Sequence, residues 1–184
     1  MKITPSKLSG CFILEPKVFG DSRGFFMELY NEKVFKENGI NLNFVQDNLS
    51  RSTRGVLRGL HFQNPNPQGK LVTVLEGEVY DVAVDLRKDS KTYGQWDGYI
   101  LSSVNKNQFY VPEGFAHGFV VTSETALFSY KCTDTYHPEN EASILWNDSD
   151  IGIEWPIEDV QLSEKDKNAL KLKDIPEALL KFPK

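Results

Sequence analysis

Residues 54–86 read RGVLRGLHFQNPNPQGKLVTVLEGEVYDVAVDL. In LHFQ (60–63) the two-residue period of a strand puts Leu60 and Phe62 on one face, and His61 with Gln63 on the other. NPNPQG (64–69) is a turn cluster. It is followed by two Val-rich stretches around Gly77 that are too uniformly apolar to have a wet face, which predicts strands buried in a sheet-on-sheet core. Asp81 and Asp85 share a face of the second stretch, where they either line a polar interior or meet solvent. Arg54, Arg58 and Lys70 place three cations around the imidazole of His61, a grouping suited to an anionic ligand.

Outward from this stretch the pattern repeats. WDGYILS (96–102), NQFYVPEGFAHGFVVTS (107–123) and ALFSYKCTDTYHP (126–138) are further short strands broken by turns. That spacing belongs to an all-β sandwich or barrel and not to a parallel α/β sheet. Upstream, CFIL (11–14) is a short apolar segment, DSRGFFMELY (21–30) a turn followed by an extended piece, and NEKVFKENG (31–39) a short helix capped by Asn31 and stopped at Gly39. NLNFVQDNLS (41–50) reads as a strand with Gln46 and Asn48 on one face. Downstream, NDSDIGIEWP (147–156) is a loop anchored by Trp146 and Trp155, and LSEKDKNAL (162–170) and PEALLKF (176–182) are helix-compatible. Ser163 and Asp166 have the spacing of a capping box.

A length of 184 residues suits one domain with a substantial core. Its expected parts are an N-terminal arm to about residue 50, a β-barrel over about 51–146 and a helical segment over about 157–184. The net charge is −5, which argues against nucleic acid as a partner but leaves room for a local basic pocket. Cys11 and Cys132 have no metal or redox spacing and read as two thiols in a reducing compartment. With no signal-peptide core in MKITPSKLSG and no apolar run of membrane length, a soluble cytoplasmic protein is expected.

The chain has three histidines, at 61, 117 and 137. Proline and glycines around His117 place it at the end of a tight turn. PEGFAH (112–117) matches the second motif of metal-binding cupin barrels, and GLHFQ (59–63) sits where their first, His-x-His, would lie. There the second histidine is Gln63, which leaves too few ligands for a transition metal. A cupin-like barrel without metal remains, and its residues fit acid–base work. Imidazole takes protons near neutral pH, Tyr130 or Tyr136 can oppose it as an acid, and Lys70 can stabilise an oxyanion. Together they fit proton abstraction beside a ketone.

RGVLRGLHFQ, QGKLVTVLEGEVYDVAVDLR, VPEGFAHGF and YKCTDTYHPENE, with DSRGFFMELY, FVQDN, DIGIEWP and LSEKD in the same order, resemble the dTDP-4-dehydrorhamnose 3,5-epimerase family. The resemblance runs to about Asp166. It implies a double-stranded β-helix (jelly-roll) fold and a homodimer using no metal or other cofactor. The implied substrate is a dTDP-4-keto-6-deoxy sugar, dTDP-4-dehydro-6-deoxy-glucose, inverted at C3 and C5 on the way to dTDP-L-rhamnose. It further implies that His61 is the base, Tyr130 the acid, Asp166 the partner orienting His61, and Lys70 the cation on the C4 oxygen. Arg58 and Arg23 would hold the diphosphate. Gln46, Asn48 and Glu28 would meet the nucleoside, and Tyr136 would stack on thymine. His117, Glu141 and Lys165 match further binding positions. The Arg23–Glu28 arm, Phe26 included, would reach the neighbouring subunit's site.

Overall fold

A computed structural model describes residues 1–182. Thirteen strands are found among them. The first four are β1 (Lys2–Pro5), β2 (Phe12–Glu15), β3 (Val18–Asp21) and β4 (Gly24–Met27). After the helix α1 (Glu32–Glu37) come β5 (Gln46–Thr53), β6 (Leu57–Gln63), β7 (Lys70–Glu76), β8 (Glu78–Asp85), β9 (Trp96–Ser102), β10 (Gln108–Val111), β11 (Phe115–Val121), β12 (Thr125–Cys132) and β13 (Glu141–Ser143). The helix α2 (Glu164–Lys167) is a single turn.

The strands form a six-stranded sheet ordered β1-β2-β10-β7-β12-β5 and a five-stranded sheet ordered β13-β6-β11-β8-β9. Every pairing between these strands is antiparallel, as an all-β jelly roll requires. The two Val-rich strands flanking Gly77 lie in different sheets, so this corner carries the chain from one sheet to the other. Gly77 has φ +75°, and a Cβ there would stand 1.9 Å from the Thr125 carbonyl oxygen. Only glycine fits.

Three apolar layers result. Val72, Val74, Val79, Ala83, Phe109, Phe119 and Phe128 fill the space between the sheets. The outer face of the five-stranded sheet presents Leu60, Phe62, Val82 and Val84, and the C-terminal segment covers it with Leu172, Ile175 and Leu180. The outer face of the other sheet is covered in part by Phe35 of α1, packed with Leu14, Leu71 and Tyr110. The alternation expected in LHFQ therefore holds: Leu60 and Phe62 go to the outer layer while His61 faces inward.

Four local expectations are corrected. The strand expected over 41–50 begins only at Gln46, because Leu42 and Phe44 instead pack around Phe35. His117 lies inside β11, opposite His61 in register, and not at a turn; the turn ends three residues earlier, at Gly114. The two C-terminal helices shrink to the one turn of α2 and a 3-10 turn at Glu177–Leu180. Arg54 turns away from His61 and donates to the Thr122 carbonyl. Asp81 and Asp85 are both fully buried, which settles their face as interior. Cys11 and Cys132 are free and buried, and Trp155 donates to the Trp146 carbonyl at 2.9 Å, anchoring the loop as its composition implied.

Candidate active site

His61 is set by β6, and its Nε2 lies 2.6 Å from Asp166 Oδ1. Asp166 comes from 105 residues away, on α2, where the Ser163 hydroxyl accepts its backbone N–H at 3.2 Å. The capping arrangement and the contact with His61 are thus one device: the cap fixes the turn, and the turn aims the carboxylate. Burial works to raise the Asp166 pKa, but the hydrogen bond and charge of His61, with Ser163 and the Gly59 amide, outweigh it and hold the carboxyl below its ordinary value. A cleft of about 370 Å³ opens over this pair, lined by Arg58, His61, Ser163, Lys165 and Asp166 with Val56, Leu57, Gln161 and Leu162.

On the other flank stands Glu141 of β13. Its Oε1 is 3.9 Å from His61 Nδ1, and its Oε2 accepts the Tyr136 hydroxyl at 2.7 Å and pairs with Lys165. Burial would raise its pKa, but Lys165, Tyr136 and His61 together hold it below the ordinary carboxylate range.

Facing these from the six-stranded sheet are Lys70 and Tyr130. Lys70 is on the same side of β7 as Val72 and Val74, hence inward. Its ammonium has no ion pair or hydrogen bond among the described residues. Burial pushes its pKa down, against the pull of Cys132, Glu141 and Asp81. Burial likewise pushes the Tyr130 phenol up to about 12, with Cys132 and Glu141 adding and Arg58 opposing. A phenol held protonated and an ammonium without a counter-ion can serve an acid step and a developing oxyanion. Arg58 also lacks a carboxylate partner among the described residues; its Nε donates to Ser52 at 3.1 Å.

Gln46 and Asn48 do share a face, and they are joined. Gln46 accepts the Tyr136 backbone N–H at 2.8 Å and donates to Asn48 at 3.0 Å, and Asn48 reaches Cys132 Sγ at 3.5 Å. Cys132 is thus a fully buried partner of Asn48, a contact its sequence context did not signal. His117 sits deeper, its Nε2 2.9 Å from Asp81 Oδ1, both side chains buried. Gln63, at the position of a cupin metal ligand, spends its whole amide on structure: it donates to the Asn66 and Thr135 carbonyls and accepts the His137 N–H at 2.8 Å.

Arg23, Phe26 and Glu28 are not brought to this cleft within one chain. They belong to the β3–β4 hairpin and its exit, which pair with neither main sheet. Arg23 lies against Asp21 at 2.6 Å, and Glu28 accepts from Asn31 at 2.8 Å.

The model of the dTDP-4-dehydrorhamnose 3,5-epimerase family matches residues 5–174. The chain belongs to the dTDP-4-dehydrorhamnose 3,5-epimerase family. A relative of that name from Methanothermobacter thermautotrophicus is 56% identical over 174 residues, 93% of this chain and 94% of its own. The crystal structure of the Legionella pneumophila dTDP-6-deoxy-D-glucose-3,5-epimerase in complex with dTDP-4-keto-L-rhamnose superimposes with a TM-score of 0.96 at 54% identity. That match covers 100% of this chain and 98% of the other. A 3'-monoepimerase from Streptomyces bikiniensis, in complex with dTDP-quinovose, is more distant: 31% identity and a TM-score of 0.89, over 97% and 91% of the two chains. Membership in this epimerase family agrees with the fold and with the isomerase chemistry that the pocket groups permit.

Proposed function

We propose that the chain epimerises dTDP-4-dehydro-6-deoxy-glucose at C3 and C5, yielding dTDP-4-dehydro-L-rhamnose, as a cytoplasmic enzyme without metal or other cofactor. The C4 ketone acidifies both neighbouring C–H bonds, so one base and one cation on the C4 oxygen serve both steps. Nothing further need be bound to supply that acidity. His61 takes each proton, Asp166 fixes its tautomer and supports the imidazolium, and Lys70 neutralises the enolate oxygen. Tyr130 reprotonates the opposite face. Arg58 holds the diphosphate, with Arg23 reaching over from a second subunit. Gln46, Asn48 and that subunit's Glu28 and Phe26 meet the nucleoside, Tyr136 stacks on thymine, and Lys165, Glu141 and His117 complete the pocket.

The 2.6 Å contact between His61 and Asp166 carries this reading most directly. A carboxylate on one imidazole nitrogen leaves the other as a neutral base, the arrangement a proton abstraction needs. No helix among the described residues is long and apolar enough to cross a membrane.

The test is proton NMR of the substrate in D₂O, with a rhamnose-forming reductase and NADPH as trap. Deuterium at C3 and C5 with dTDP-rhamnose formed is the expected result, whereas label at C3 alone would make the chain a C3 epimerase. No label would leave a sugar-nucleotide binding protein. His61→Asn should abolish wash-in at both carbons, and exchange persisting at one would require a second base. Tyr130→Phe should slow epimerisation more than exchange, since it removes the acid and keeps the base.

A further inference from the structure

Inverting two carbons with one imidazole carries a requirement of its own. After the first abstraction His61 holds a proton, and it must lose that proton before it can take the second. With Nε2 committed to Asp166 at 2.6 Å, the incoming proton sits on Nδ1. Asp166 cannot remove it, since it faces the other nitrogen and its side chain is only 3% exposed. The group facing Nδ1 is Glu141, at 3.9 Å. Its two oxygens are unequal. Oε2 is occupied by Tyr136 and Lys165, while Oε1, the oxygen nearer the imidazole, accepts no hydrogen bond among the described residues.

We infer that Glu141 is the proton relay that resets His61 between the two inversions. The Nδ1–H bond breaks as an O–H bond forms on Oε1, and the carboxylic acid then yields its proton to water at the cleft mouth. Neutral imidazole and carboxylate are restored, and only solvent is consumed as carrier. The inference rests on the one-base reading above.

Exposure and basicity both support it. The Glu141 side chain is 19% exposed against 3% for Asp166, so it meets water where Asp166 does not. In reference compounds a carboxylate is a weaker base than imidazole by about two pKa units, and Lys165 and Tyr136 weaken Glu141 further, against the effect of burial. The proton therefore only passes through it, as a relay demands. A separation of 3.9 Å exceeds a hydrogen bond, but catalytic contacts commonly tighten only once substrate is bound.

Deuterium wash-in for Glu141→Gln, beside wild type, tests this. The amide keeps the size of the side chain and an acceptor for Lys165 and Tyr136, but it carries no proton. Loss of a pocket carboxylate slows exchange at both carbons alike, so the readout is the ratio of the two rates, with the carbon that exchanges first as the reference. Relative to it, the second should lag by roughly tenfold or more beyond the wild-type ratio, and a small diffusible base such as imidazole should restore that ratio. Equal slowing at both carbons with no response to that base, or no slowing at either, overturns the relay and leaves Glu141 a binding residue. Absence of label with wild type would instead sink the epimerase reading itself. If Glu141→Gln does not fold, Glu141→Asp moves the carboxylate away from Nδ1 and should give the same split in weaker form. A uniform loss in that variant counts against the relay.

Discussion

His61 and Gln63 stand two residues apart on one face of β6 and do different work. The imidazole keeps a free nitrogen for chemistry, whereas the amide is consumed tying the 134–137 loop to the strand. Alternation made their shared face legible in the sequence, and so was the family likeness. What alternation could not supply was the partner of each, because Asp166 and Thr135 arrive from 105 and 72 residues away. Lys70 shows the cost of function at this scale. A half-buried ammonium with no counter-ion among the described residues is destabilising, so Lys70→Met should stabilise the fold at pH 7 by about 1 kcal/mol, roughly 2–4 °C in melting temperature. The same change should lower epimerisation by roughly 10²–10³-fold. The pH dependence has a definite sign. Because the folded-state pKa of Lys70 lies below its ordinary 10.5, the unfolded chain binds more protons in between, and wild-type stability rises with pH through that window. The melting advantage of Lys70→Met should therefore be greatest below the folded-state pKa and shrink as pH rises toward 10.5. A constant advantage in paired thermal melts would mean that desolvation of the charge is not its source.

The element that joins stability to chemistry is the C-terminal segment. It delivers Asp166 to His61, then runs back across the outer face of the five-stranded sheet with Leu172, Ile175 and Leu180. The buried Asp148 carboxylate fixes its course by accepting the Leu172 backbone N–H at 2.8 Å. Its sequence resembles helix, and the structure keeps only single turns of it, α2 and the 3-10 turns Leu172–Asp174 and Glu177–Leu180, because segments this short gain little from helix formation and are held by their apolar anchors on the sheet. The barrel strands were legible through period and Val content. This cover was not, since its anchors have helical spacing but are carried by two separate 3-10 turns. Leu172→Ala should cost roughly 2–4 kcal/mol. Loosening of the segment frees Asp166 before the barrel itself opens, so activity should fall at a lower temperature than the β-sheet circular-dichroism signal. Coincident losses would show that the segment and barrel unfold as one unit.

At the scale of the whole molecule, the β3–β4 hairpin joins neither main sheet and meets its own chain along one edge, where Lys106 Nζ sits 3.9 Å from the centre of the Phe25 ring. Phe19, Phe25 and Phe26 are 52%, 61% and 65% exposed. Neighbouring Leu29, and Leu49 and Leu75 on the sheet beside it, are exposed as well. An apolar arm of this kind, carrying Arg23 at its tip, fits the proposal that a second copy receives it. The proposal makes a quantitative demand. Arg23→Ala and His61→Asn should each be nearly inactive as homodimers, the first for want of a diphosphate contact and the second for want of a base. If the arm serves the partner's site, a heterodimer of the two holds one site with both His61 and Arg23 intact and one with neither. Random reassortment of an equal mixture makes half the dimers mixed, so about a quarter of wild-type sites should be restored. If the arm instead folds back onto its own barrel, every site in the mixture lacks one group and no activity returns. Mixing the two inactive proteins through a mild unfolding and refolding cycle, then assaying epimerisation, separates the two arrangements.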